Sequence, residues 1–160
     1  MSPEPAYVPF TEDAAELVAS WATTPDDARF WVSATVSPVS AETVAAWGRA
    51  DDVLPRMLVV DGRPVAYGEL WIDDEEREVE LARLIVDAKL RGQRLGRTLV
   101  GHLTREARGH YPDVFLRLQP DNAAAEACYR AAGFVRVDAE AEREWNVGQP
   151  SEYKWMRSGT

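Results

Sequence analysis

Between residues 79 and 134 the chain runs strand, helix, strand, helix, and no other feature limits its fold as strongly. VELARLIV (79–86) has the length and aliphatic content of a largely buried strand, and LGRTLVGHLTREARGHY (95–111) follows with helical spacing. VFLRLQ (114–119) reads as a second strand. NAAAEACYRAAGF (122–134) reads as a second helix, with Asn122 placed to cap its start and Gly133 to end it. An alternation of this kind buries its apolar surface by placing helices on both faces of one sheet.

The flanks fit that plan. YVPFT (7–11) reads as a short first strand, Thr11 as the cap of a helix over EDAAELVASWA (12–22), and Ser40 as the cap of AETVAAWGRA (41–50). Asp26 starts a short helix carrying Phe30 and Trp31. RMLVV (56–60) and RPVAYGELWI (63–72) flank Asp61-Gly62, a dipeptide that takes the positive φ angles of a tight hairpin turn. The acidic DDEERE (73–78) makes the next connection, and strands near FVRVDAEAERE (134–144) and EYKWMR (152–157) complete the order. With 160 residues, no repeat and no long linker, the expectation is one domain over 1–160 with loose ends at 1–6 and 158–160.

Composition narrows the function classes. Cys128 is the only cysteine, which excludes an intramolecular disulfide, and with only His102 and His110 a Cys/His zinc site has too few ligands. No metal is expected. A net charge of -9 disfavours nucleic acid and acidic membrane surfaces as partners. Aliphatic runs such as MLVV (57–60) are far too short for a membrane span, and MSPEPAYVPF lacks the basic start and apolar stretch of a signal peptide, so a cytoplasmic protein is expected.

Against this acidic background RGQRLGRTLV (91–100) stands out. Helix N-termini carry unpaired N–H groups and partial positive charge, so first turns favour Asp and Glu. Here Lys89, Arg91, Arg94 and Arg97 crowd that end instead. Gly92 and Gly96 let backbone come close to a ligand, and a bound phosphate satisfies both the amides and the guanidinium groups. The alternative is a solvated helix whose arginines pair with some of the 27 acidic side chains. Neither the P-loop nor the dinucleotide pattern is present.

The strand 79–86, the loop RGQRLG and the segment 122–134 together resemble the GNAT superfamily of acyl-CoA-dependent N-acetyltransferases. That family's pyrophosphate loop has the form [QR]-x-x-G-x-[GA]; Arg91 and Gly96 match its outer positions, and Arg94 stands at the central glycine. Its second signature, N-x-x-A-x-x-x-Y-x-x-x-G-F, is met by Asn122, Ala125, Tyr129, Gly133 and Phe134. The resemblance spans roughly residues 57 to 137. It implies a single mixed α/β (α+β) domain: a mostly antiparallel twisted sheet of about six to seven strands, about four helices on both faces, and a splayed parallel pair at 79–86 and 114–119. Backbone of Leu84, Ile85 and Val86 would then hold the pantetheine arm of acetyl-CoA. Arg91, Gly92, Gln93, Arg94, Leu95, Gly96 and Arg97 would hold its pyrophosphate, with Asn122 beside the cofactor.

Acetyl transfer to an amine needs a base for the ammonium, a donor for the oxyanion and a proton for the leaving thiolate. Glu80 lies eleven residues before Arg91, where several members of the family place their base; Glu69 is its rival. Tyr129 follows Asn122 by seven residues, about two helical turns, and its hydroxyl would protonate the departing sulfur. The oxyanion donor would be a backbone N–H, that of Leu84 or Val86. Cys128 has no basic partner in sequence and reads as a small buried hydrophobe. In the branch that acetylates ribosomal-protein N-termini a glutamate stands where this chain has Arg117, which argues against that specificity.

The acceptor region would draw on Trp21, Phe30, Trp31, Trp71, Trp145, Tyr153 and Trp155, either as an aromatic cage for a cation or, more commonly, as core packing. Two functions stay open. One is an N-acetyltransferase moving acetyl from acetyl-CoA to a primary amine of a small molecule or peptide in a ternary complex. The other is a non-catalytic acyl-CoA-binding sensor or interaction module. Pairing of two copies as a homodimer through the terminal strands is also left open.

Overall fold

The computed structural model describes residues 4–33 and 38–159. In chain order these form β1 (Ala6–Pro9), a 3-10 turn (Glu12–Ala14) leading into α1 (Ala15–Ala19), α2 (Pro25–Val32), α3 (Ala41–Trp47), β2 (Val53–Val60) and β3 (Arg63–Asp73). There follow β4 (Glu78–Val86), a second 3-10 turn (Ala88–Leu90), α4 (Leu95–His110), β5 (Asp113–Leu118), α5 (Ala123–Ala131), β6 (Phe134–Arg136), α6 (Ala139–Trp145) and β7 (Lys154–Ser158). The strands make one sheet in the order β1-β2-β3-β4-β5-β7-β6, antiparallel throughout except for the pair β4 and β5. This is the mixed sheet expected. Of the ends expected to be loose, Ala6 opens β1 and Ser158 closes β7, while residues 1–3 and 160 lie outside the described residues.

Alternation along the strands sends side chains to two main cores, with a smaller third around Val137, Tyr153 and Trp155. Leu58, Leu70, Leu81 and Leu116 pack against Leu99, Leu103 and Ala107 of α4, with α5 alongside. Met57, Tyr67 and Ile85 face the opposite side, against Val18, Trp31 and Val44 of α1 to α3. Helices therefore cover both faces, as the element order requires.

Local chemistry explains where the elements begin. Asp61 and Gly62 take φ of 51° and 78°, the twist that closes β2 onto β3. Ser40 and Asn122 accept from the amides of Thr43 and Ala125, capping α3 and α5 as expected. Two expectations at the first helices are corrected. Thr11 makes no capping bond; its hydroxyl bonds the Asp13 carboxylate, and the turn it opens is 3-10. Thr24, not Asp26, caps α2 by accepting from Asp27 N, with Pro25 pre-set for the first helical position.

The strand expected over 134–144 is also corrected. Only Phe134–Arg136 pairs with β7; Asp138 then accepts from Ala141 N and starts α6 through AEAEREW, whose Ala, Glu and Arg are strong helix formers. Six α-helices result among the described residues, more than the four or so expected.

One detail of the sheet prepares the site. β4 and β5 pair only at Glu78↔Asp113, Val79↔Val114 and Glu80↔Phe115. Beyond them β5 stays with β7, and the stretch of β4 from Leu81 to Val86 has no strand on that side among the described residues. The parallel pair parts into a V.

Candidate active site

The V opens into a cleft of about 690 Å³ lined by Leu84, Ile85 and Val86 of β4, by Arg91, Gly92 and Arg94 to Arg97 of the loop, and by Asn122, Ala125, Cys128 and Tyr129 of α5; Gln93, expected at the pyrophosphate, is not among the lining residues. Gly92 (φ 86°) and Arg94 (φ 65°) are both left-handed, and together they turn the chain into α4. Arg94 thus adopts the backbone conformation that glycine favours, holding an L side chain there at a cost of about 1–2 kcal/mol. Among the described residues no side chain caps α4, so the amides of its first turn lack the partner that Thr24, Ser40, Asn122 and Asp138 supply to other helices. Gly96 permits close packing here: a Cβ at this position would meet Cys128 Sγ at 3.3 Å and Val86 Cγ2 at 3.7 Å.

The arginines of this loop divide into two kinds. Arg91 is spent on the protein: Nη1 donates to Asp27 Oδ1 at 2.9 Å, Nη2 to the Trp21 carbonyl at 3.1 Å and Nε to the Val86 carbonyl at 3.3 Å. It ties the first helices to the end of β4. Arg94 and Arg97 are exposed, line the cleft mouth, and have no acidic partner among the described residues.

Tyr129 lines the cleft from α5, half-buried against Phe134 at 6.5 Å between ring centroids. Its hydroxyl has no hydrogen-bond partner among the described residues, and burial holds its pKa above the usual phenol value. It is a neutral donor on a residue that lines the cleft. Asn122, by contrast, spends its side-chain oxygen on the amide of Ala125 at 3.2 Å. Cys128 is half-buried beside Gly96, and burial pushes its thiol pKa up, which suits the inert role expected of it.

The carboxylates lie on the face of the sheet covered by α1 to α3. Glu69 is fully buried and accepts from Tyr67 OH, from Trp71 Nε1 at 2.7 Å and from Arg83 Nη1 at 3.0 Å. Burial pushes its pKa up despite the Arg83 guanidinium. Glu80 is also buried; it accepts from Arg117 Nε at 2.9 Å and Nη2 at 3.5 Å, while Arg117 Nη1 donates to Gln149 Oε1 at 2.7 Å. Burial outweighs the Arg117 charge and pushes the Glu80 carboxyl up to about 7. The cleft lining includes Tyr129 but not Glu80, so the two candidate catalytic groups do not meet directly.

Sequence reading missed Arg83. The register of β4 on β3 shifts between Tyr67↔Ile85 and Glu69↔Ala82, leaving Arg83 and Leu84 opposite Gly68, and Arg83 takes φ 51°. Leu84 then packs towards α4 and Ile85 towards α1 to α3, while Arg83 contacts Glu69, on the same face as Glu80. No residue type in VELARLIV announces that bulge.

The aromatic residues resolve accordingly. Arg83 lies 4.2 Å from the Trp47 ring centroid and 4.9 Å from that of Trp71; Arg117 lies 5.1 Å, 5.3 Å and 5.8 Å from Trp155, Tyr153 and Trp71. Of the rings weighed as a cation cage or as packing, Trp71, Tyr153 and Trp155 lie against the protein's own guanidiniums, as does Trp47. Trp145 packs edge-on against Trp155, Trp21 is buried in the second core, Arg29 covers Phe30, and Trp31 Nε1 donates to the Arg83 carbonyl at 2.8 Å.

A profile described as the Acetyltransferase (GNAT) family matches residues 4–134. No curated protein matches the sequence. Among solved structures, AAC(6')-Ib in complex with paromomycin and acetyl-CoA superimposes with a TM-score of 0.75 at 19% identity, over 98% of this chain and 93% of that one. The GNAT domain of S. lividans PAT gives 0.76 at 17% identity, over 96% and 89%. The ribosomal-protein-S18-alanine N-acetyltransferase from Escherichia coli gives 0.68 at 22% identity, over 97% and 93%. These likenesses establish the fold.

Proposed function

The chain belongs to the acetyltransferase (GNAT) family, and on that premise we propose that it transfers acetyl from acetyl-CoA to a primary amine of a small molecule or peptide by direct attack. The observation that carries this reading is the unpartnered Tyr129 hydroxyl inside a cleft opened by the parting of β4 and β5. The residues present fit acetyl-CoA. The backbone edge from Leu84 to Val86, which no strand covers among the described residues, suits an extended amide-bearing arm, and the uncapped amides of α4 with Arg94 and Arg97 suit a pyrophosphate. When bound, acetyl-CoA supplies the activated acyl carbon.

The chain's own groups handle the protons. Tyr129 OH, neutral and on a cleft-lining residue, delivers a proton to the leaving sulfur. Glu80, with its pKa near neutrality, accepts the ammonium proton through water, since its carboxylate lies off the cleft wall. Leu84 or Val86 offers a backbone N–H to the oxyanion. We read the protein as one cytoplasmic domain with neither nucleic acid nor membrane as partner.

A base acts only when ionised, so the rate should rise with pH through an apparent pKa of about 7. Glu80→Gln should remove that limb and lower kcat/KM by at least about ten-fold. A limb that persists in the variant transfers the role to another group, Glu69 first.

The function itself is tested by thermal denaturation with acetyl-CoA and by release of free CoA across a panel of amines. A raised Tm with CoA release supports the transferase. A raised Tm with no release from any amine replaces it with the acyl-CoA-binding module.

A further inference from the structure

The cluster beyond the cleft bears on the acceptor. Four charged groups meet there: Glu69 with Arg83 at 3.0 Å, and Glu80 with Arg117 at 2.9 Å. Both carboxylates already accept from the protein's own donors. Glu69 has no exposed surface and three donors already, and Glu80 is gripped by two nitrogens of Arg117. The donors are not spent. Arg83 gives Nη1 to Glu69, and its Nε–Nη2 edge has no partner among the described residues, although the side chain is 25% exposed. That edge is the fork that takes a carboxylate by two parallel hydrogen bonds.

The guanidinium is also held still. Trp47 and Trp71 lie against it at 4.2 Å and 4.9 Å, and the left-handed bulge fixes where the side chain leaves the strand. Arg83 is not itself among the cleft-lining residues; its neighbour Trp31 is, and Trp31 donates to the Arg83 backbone carbonyl and packs edge-on against Trp47. Arg83 immediately precedes the cleft-lining segment Leu84–Val86.

We infer that the amine acceptor carries a carboxylate, in the manner of an amino acid, and that Arg83 binds it through the free Nε–Nη2 edge. The inference rests on the proposed transferase function and adds the acceptor's chemical class. A polyamine or an aminoglycoside would instead bring ammonium groups against Arg83 and Arg117, with both nearby carboxylates already paired.

The test is CoA release from acetyl-CoA with the common α-amino acids, the carboxamide of each, spermidine and kanamycin. Amidation makes the amine easier to deprotonate, so intrinsic reactivity favours the amide and binding alone can favour the acid. The best amino acid is expected to exceed its carboxamide by at least about ten-fold in kcat/KM, mainly through KM, as fits one charge-assisted pair. Arg83→Gln should bring that ratio near one, and Arg83→Lys should restore part of it. Retained acetyl-CoA affinity shows that each variant is folded, and the acid-to-amide comparison in the unaltered protein tests the idea without any variant. Equal use of acid and amide, or preference for spermidine or kanamycin, overturns this inference and leaves the transferase standing. Binding of acetyl-CoA with no turnover of any acceptor overturns both.

Discussion

Tyr129→Phe is expected to lower kcat for acetyl transfer by roughly 10²- to 10⁴-fold, the usual contribution of a positioned general acid. Acetyl-CoA affinity and thermal stability should stay close to those of the unaltered protein. The separation follows from the geometry. The ring packs against Phe134 and keeps that contact as phenylalanine, while the hydroxyl it loses has no protein partner among the described residues. Burial keeps the phenol protonated at neutral pH, so the proton is available at the moment the thiolate leaves. Single-turnover CoA release and titration calorimetry on the same preparations read the two quantities. An unchanged rate would assign the sulfur's proton to water or to another donor.

Arg94→Glu combined with Arg97→Glu is expected to weaken CoA binding by at least about 10²-fold, since each charge-assisted contact contributes about 1.5–3 kcal/mol and reversal adds repulsion. Both side chains are exposed and have no acidic partner among the described residues, so denaturant stability should change little. Arg91 is the internal contrast. Its guanidinium holds Asp27 and the Trp21 carbonyl, and Arg91→Glu would set a carboxylate beside Asp27 and loosen the first helices from β4. Calorimetry with CoA beside urea denaturation separates a ligand-binding arginine from a structural one. Full CoA affinity in the double variant would return Arg94 and Arg97 to the solvated surface.

Much of the fold was legible because its signals are local. The Asp61-Gly62 turn, the Ser40 and Asn122 caps and the order of elements from 79 to 134 depend on bonds between residues a few positions apart. Of the cleft-lining residues, Leu84 to Val86, Arg91, Gly92, Arg94 to Arg97, Asn122 and Tyr129 were named from the family resemblance, whereas Leu90, Leu99 and Val100 were not. α6 was missed because FVRVDAEAERE carries mixed signals, and the Asp138 cap divides a short strand from a helix within it. Arg91 was grouped with its basic neighbours because nothing near it in sequence shows Asp27, 64 positions away, as its partner.

The amino-acid order by itself determined most of the strands and helices, α6 excepted, together with the Asp61-Gly62 turn and the Ser40 and Asn122 caps. Only the tertiary structure decided what the charges do: Arg117 with Glu80, Arg83 with Glu69, Arg91 with Asp27. The physical reason is range. Helix periodicity and capping act over one turn of chain, whereas an ion pair or a β-bulge is set by strands and helices brought together from distant parts of the sequence. Burial there pushes the Glu80 carboxyl up to about 7, and composition alone carries no trace of that.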